Sequence, residues 1–189
     1  MSMLILGLVI FLGVHSTSIV APAWRDAQVD ARGEITWKGL YALLSILGFA
    51  LIVHGYGQAR GAPVVLYQPP ASLRHVAWLL MLPVFPLLLA TYLPGRISAV
   101  TRHPMLVATK LWALAHLLAN GTLASTVLFG SFLAWAVVDR ISLKRRAPRS
   151  VPAAPPSRYN DAIAVVAGLG LYAAFIGMLH LWLIGVSPR

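Results

Sequence analysis

The chain has no cysteine. Disulfides, iron–sulfur clusters and thiolate metal sites are therefore excluded, although this says little about compartment. Charge is also scarce: 11% of the 189 residues are charged, only five are acidic, and no glutamate follows Glu34. Against this, 59% of the residues are hydrophobic and the mean hydropathy is +0.78. A soluble domain of this size could not bury so much apolar surface, so the composition predicts an integral membrane protein whose partner is the lipid bilayer. The formal charge of +10 invites a nucleic-acid reading, but no basic helix or aromatic–basic platform accompanies it. The bases sit in short loops between apolar runs, which is how membrane topology is encoded. No nucleic-acid partner is expected. No basic n-region precedes the first apolar run, so that run is expected to be a retained span rather than a signal peptide. No internal repeat is evident.

What the sequence does contain is a succession of apolar runs. Residues 3–20 form the first and carry His15 followed by three hydroxyl residues. Residues 21–37 read as a polar loop flanked by Trp24 and Trp37 at the interface. The second run, 39–56, carries Ser45 and His54, and a Gly/Pro-rich loop follows it. The third, 73–93, has His75 near its start, and Pro83 and Pro86 should kink it. The fourth lies within 101–121. The fifth, 122–138, follows after so short a turn that helices four and five should form a tight antiparallel hairpin. A basic, Pro-rich linker occupies 144–157, and a Gly-rich last span with His180 occupies 162–186. The expectation is an all-α polytopic membrane protein of about six transmembrane helices, forming one transmembrane domain over 1–189. Helix four is the marginal span, because about sixteen residues rise only ~24 Å against ~30 Å of hydrocarbon.

Six spans put both termini on one side of the membrane. Of fifteen Lys and Arg residues, Arg60, Arg74 and Arg189 fall on that side and the other twelve on the opposite side. The positive-inside rule then predicts that both termini are non-cytoplasmic.

Helix four collects the unusual residues. Arg102, His103 and Pro104 stand at its mouth, Lys110 and His116 lie inside it, and Asn120-Gly121 closes it. Pro104 suits the first helical position, where its missing N–H costs nothing. A charge and an imidazole within a membrane-length helix are costly and by default mark a functional site. At 100° per residue His103 and Lys110 share one face, and Thr109, Trp112, His116 and Asn120 share another. Arg102, His103 and Lys110 are therefore candidates for holding an anionic headgroup or substrate. The plainer alternatives are an interfacial anchor for Arg102-His103, a snorkelling side chain for Lys110 and packing for Trp112.

The expected topology also sorts the histidines by depth. His54, His75, His116 and His180 come near the non-cytoplasmic ends of their helices, His15 nearer the cytoplasmic end, and His103 at the cytoplasmic mouth. Several imidazoles at one depth on different helices are what axial ligation of a membrane-embedded haem requires. His54 and His116 differ in depth by about a few ångströms, and His15 and His116 by roughly 10 Å. Depth thus makes His116 with His54 the candidate ligands of a haem iron, and His15, inside an apolar run, is a functional candidate of its own. A wet, hydrogen-bonded interfacial side chain is the alternative for His54, His75 and His180, and local hydroxyl partners for His15.

RHPMLVATKLWALAHLLANG, with GVHS in helix one and WAVVDRISLKRR towards the end of helix five, resembles the NnrU family of bacterial inner-membrane proteins over nearly the whole chain. That resemblance implies an inner-membrane location and an association with nitrite and nitric oxide reduction in denitrification. The family is similar in turn to the plant 15-cis-zeta-carotene isomerase, which holds haem b by histidines. Its motif matches Arg102-His103-Pro104 and His116, its helix-one histidine matches His15, and one in its second helix matches His54. This implies haem b held by His15 and His116, and a redox or cis-trans isomerase-type activity on an apolar substrate. The depth argument prefers His54 with His116, and both pairings stay open in the sequence. A more distant resemblance, to the isoprenylcysteine carboxyl methyltransferases, implies S-adenosylmethionine binding through Arg102 and His103. Those enzymes carry a Glu-Glu pair after the following hairpin, where this chain has Asp139 and then a run of bases. A third reading is a non-catalytic assembly or transport factor for respiratory complexes.

Overall fold

A computed structural model describes residues 1–146 and 151–188. Part of the basic linker, and Arg149 and Arg189 of the charge count, lie outside the described residues. In chain order the helices are α1 (Ser2–Val20), α2 (Pro22–Arg32), α3 (Glu34–Gly61), α4 (Ser72–Met81), α5 (Val84–Ala90), α6 (Arg96–Thr101), α7 (Pro104–Ala119), α8 (Leu123–Ser142) and α9 (Asn160–Ala174). A π-helical turn, Phe175–Leu179, then leads into α10 (His180–Ile184). The protein is an all-α polytopic membrane protein. Among the described residues five helical stretches are long and apolar enough to cross a bilayer: Ser2–Val20, Glu34–Gly61, Ser72–Ala90, Leu123–Ser142 and Asn160–Ile184. The sixth apolar helix, α7, is the short one, as its sixteen residues require.

The helices fall into two compact units, each assembled from separate stretches of chain. Met1–Pro69 and Asn120–Arg146 form the first, Pro70–Ala119 and Ala147–Arg189 the second. Only residues 120–122 join α7 to α8, and each of these helices packs within its own unit.

In the first unit, α1 and α3 meet along a glycine seam. A Cβ on Gly7 would come within 2.6 Å of the Ile52 nitrogen, one on Gly48 within 2.8 Å of the Phe11 nitrogen, and one on Gly55 would fall on the Leu4 backbone. Lipid removes the hydrophobic drive between helices, so this close backbone approach is what holds them together. Hydroxyls add to it where α3 meets α8. Tyr56 Oη and Ser125 Oγ are 2.9 Å apart, and Thr122 caps α8 by accepting from the Ser125 N–H. Beside that cap the Gly121 carbonyl accepts the N–H groups of Leu66 and Tyr67, and Val64 accepts that of Leu123. At the other end of α8, buried Asp139 pairs with Arg146.

One expectation is corrected here. Residues 21–37 are not a loop: Pro22 takes the first position of α2, and Ala23, Ala27 and Ala31 recur every fourth residue along it. The charges had read as a loop, yet an interfacial helix presents such charges to water. The flanking tryptophans do meet, edge to face at 5.8 Å.

In the second unit, Pro83 interrupts the third span between α4 and α5, where the sequence expected a kink. Pro86 falls in the first turn of α5, where its missing N–H would lack an intrahelical partner anyway. Val84, Leu87 and Ala108 form the core where α5 meets α7, with Leu111 and Trp112 packed on it. The short helix α6 is held from the start of α9. Asp161 accepts the N–H groups of Arg96 and Ile97 at 2.8 and 3.1 Å, and buried Asn160 donates to the Pro94 carbonyl at 2.8 Å. A carboxylate at a helix N-terminus satisfies orphan donors and faces the positive end of the dipole. Asp161→Ala should therefore lower stability by about 1–2 kcal/mol, with Asp161→Asn recovering part of the loss. Thermal unfolding of the detergent-purified protein checks this; an unmoved midpoint for the alanine variant would rule the cap out as a stabilising contact.

Candidate functional site: a histidine pair in the second unit

The second unit brings two imidazoles together from different helices. The rings of His116 on α7 and His180 at the start of α10 are 6.4 Å apart between centroids and inclined by 21°. Each is fixed through the same ring nitrogen. His116 Nδ1 lies 2.8 Å from the Trp112 carbonyl, and His180 Nδ1 lies 2.7 Å from the Val186 carbonyl. A carbonyl only accepts, so each ring donates from Nδ1.

The local structure explains why His180 faces this way. The π-helical turn directly before it widens the helix and rotates whatever follows, and such bulges are frequent at functional sites. Gly185 then ends α10 at φ +75°, a conformation that suits glycine, and the chain turns back so that Val186 reaches His180. The returning segment is tied down by the Trp78 indole, which donates to the Pro188 carbonyl at 2.9 Å. Tyr172 donates in turn to the Trp78 carbonyl at 3.0 Å. His75 lies edge-on to the same tryptophan at 5.1 Å, and its own side chain is exposed.

At the opposite end of α7, Arg102 has φ +61° and ψ −36°, the one non-glycine residue with positive φ among those described. The His103 N–H reaches back to the Thr101 carbonyl at 2.7 Å, which closes a γ-turn of the rarer, strained kind around Arg102. Backbone strain in an arginine persists only where the surroundings over-determine it, and it concentrates at functional sites. The His103 carbonyl then accepts the N–H groups of Leu106 and Val107 in the first turn of α7. Arg102 is exposed, whereas His103 and Lys110 are half-buried. His103 and His116 are separated by thirteen residues, roughly 20 Å along the axis.

The other candidate ligands lie in the first unit. His15 is half-buried, stacked on Phe11 at 4.1 Å, and near Tyr41 and Trp135 at 5.1 and 6.0 Å. Its Nδ1 donates to the Phe11 carbonyl at 2.7 Å. His54 is exposed, and the Gln58 amide approaches its Nε2 at 3.2 Å. These two histidines are not brought together: His15 lies level with Tyr41, thirteen residues or roughly 20 Å before His54 on α3. His180 was not among the candidate ligands read from the sequence; the signal for its carbonyl partner was Gly185, near the end of an apolar run, which marks the turn-back that fixes the ring.

Among the described residues no group of three or more His, Asp or Glu side chains could hold a bare metal ion. A pair of imidazoles is a donor set that haem would take, and His116 and His180 come from different helices with their rings 6.4 Å apart. Imidazoles held at Nδ1 by carbonyls are likewise what haem-holding histidines would need. His116 and His180 fit that role.

Fold and site together define a class, a polytopic helical membrane protein with an imidazole pair at one end of its bundle. The chain belongs to the NnrU family: the family model described as NnrU protein matches residues 3–188. No curated protein and no solved structure gives a match.

Proposed function

We propose that this protein binds haem b within the membrane, where His116 and His180 would hold it, and serves redox or isomerase-type chemistry on an apolar substrate. The observation that carries the reading is the pair itself: two near-parallel rings from different helices, both held at Nδ1. When bound, haem supplies one-electron exchange at its iron. The protein's own contribution is to hold both rings: the Trp112 and Val186 carbonyls orient them and raise their basicity. Arg102 and His103, at the other end of α7, suit an anionic group of the lipid or substrate. The family's link to nitrite and nitric oxide reduction makes electron transfer the first activity to assay.

The deciding experiment is the absorption spectrum of protein purified after expression with haem supplied. A Soret band that shifts on dithionite reduction supports the proposal. Protein that never carries haem overturns it and favours a non-catalytic assembly factor.

The proposal includes a bacterial inner-membrane location with both termini outside the cytoplasm, supported by the twelve-to-three distribution of bases. Alkaline phosphatase fused after Arg189 should be active and a green fluorescent fusion there dark. A bright C-terminal fluorescent fusion would reverse the orientation.

A further inference from the structure

In the first unit, α1 and α8 run parallel and leave a groove along one side. Its apolar part is a cavity of about 330 Å³ between Leu8, Leu12 and Gly13 of α1 and Val127 and Ser131 of α8. Its other part, about 340 Å³, lies further along the same two helices, lined by Ser18, Ile19, Val138, Ser142, Arg145 and Arg146. Leu8, Leu12, Ser16 and Ile19 recur three or four residues apart, so one stripe of α1 lines both parts. From Ile5 to Ile19 the stripe of α1 that lines the two cavities runs roughly 21 Å, against the ~15 Å of one leaflet's hydrocarbon. A Cβ on Gly13 would meet nothing within 4 Å, so the groove is open there.

Both parts carry two serines, Ser16 and Ser131 in the first and Ser18 and Ser142 in the second, but only the second has charged residues, Arg145 and Arg146. Arg146 donates through one terminal nitrogen to Asp139, which offsets one of the two charges. Its Nε is buried and has no hydrogen-bond partner among the described residues. Arg145 is exposed beside it. Guanidinium groups match phosphate oxygens in charge and geometry, and basic pockets between membrane helices suit acidic headgroups.

We propose that this groove holds one anionic phospholipid, with an acyl chain between α1 and α8 and its phosphate at Arg146 and Arg145. The net positive charge left at the mouth selects an anionic headgroup over a zwitterionic one. The site is separate from the histidine pair and does not depend on haem.

The test is native mass spectrometry of the full-length protein, delipidated and then given phosphatidylglycerol or phosphatidylcholine with the same acyl chains. The wild type should retain phosphatidylglycerol about fivefold more strongly, the effect of one basic side chain near a phosphate. Arg145→Gln should remove most of that preference. Gly13→Leu, which fills open groove, should weaken retention of both lipids while the lipid-free unfolding temperature does not fall. Arg146 is left intact, because its loss would strand Asp139. Glycerol phosphate without acyl chains should not bind, which separates a lipid from a free phosphate. Equal retention of both lipids by the wild type overturns the proposal, as does an Arg145→Gln preference equal to the wild type's.

Discussion

Replacing either His116 or His180 by alanine should convert or abolish the haem spectrum, and the double variant should be little worse than either single one. An axial imidazole cannot be lost without opening a coordination position, so a six-coordinate low-spin iron becomes five-coordinate or the haem dissociates. A histidine serving only the fold would behave differently, since a hydrogen bond within a membrane protein is worth about 1 kcal/mol and the bundle would survive its loss. The controls come from the same molecule. His75→Ala removes an exposed ring that packs on Trp78, and His103→Ala removes one roughly 20 Å along α7 from His116. Both should keep the spectrum of the wild type. His54→Ala should do so as well, because that side chain is exposed and engaged by Gln58. His15→Ala is the discriminating variant. If it strips the haem while His180→Ala does not, the pair is the one implied by the isomerase resemblance and our assignment of His180 is wrong.

The sequence shows why some of this architecture was legible and some was not. Apolar runs and their flanking bases report length and burial directly, so the spans, the shortness of α7 and the break at Pro83 could be read off. His116 stood out because an imidazole inside an apolar helix needs a partner. Its proximity to His180 is a tertiary fact, set by a π-helical turn that carries no composition signal. Depth alone placed His54, His75, His116 and His180 together, and it could not rank them, because depth says nothing about rotation around a helix axis. The capping of α6 by Asp161 was invisible for a similar reason: the two partners are 64 and 65 residues apart. The misread of α2 was local. Its charges are those of a loop and also those of an interfacial helix, and only the spacing of its alanines favoured the helix.

Two glycines two residues apart on α9 should give opposite results when replaced by leucine. A Cβ on Gly168 would overlap the nitrogen and Cα of Pro86, whereas one on Gly170 would meet nothing within 4 Å. Pro86 cannot yield by a rotamer change, because the obstruction is its backbone and ring. Gly168→Leu must therefore push α9 away from α5, at a cost in the upper part of the 1–3 kcal/mol typical of overpacking or beyond it. Gly170→Leu replaces a poor helix former at an open position and should leave stability equal or raise it by up to about 1 kcal/mol. The two variants also differ at the histidine site. His180 continues from α9 through the π-helical turn, and His116 stands on α7, which packs against α5. Displacing α9 from α5 thus moves one imidazole relative to the other without touching either. Gly168→Leu should lower the unfolding temperature and weaken haem retention together, and Gly170→Leu should do neither. If both variants are equally damaged, the α5–α9 seam at Pro86 is not what holds the second unit. If Gly168→Leu unfolds early yet keeps a wild-type haem spectrum until it melts, the pair does not depend on that seam. Loss of both together, in this variant alone, ties the fold of the second unit to its chemistry.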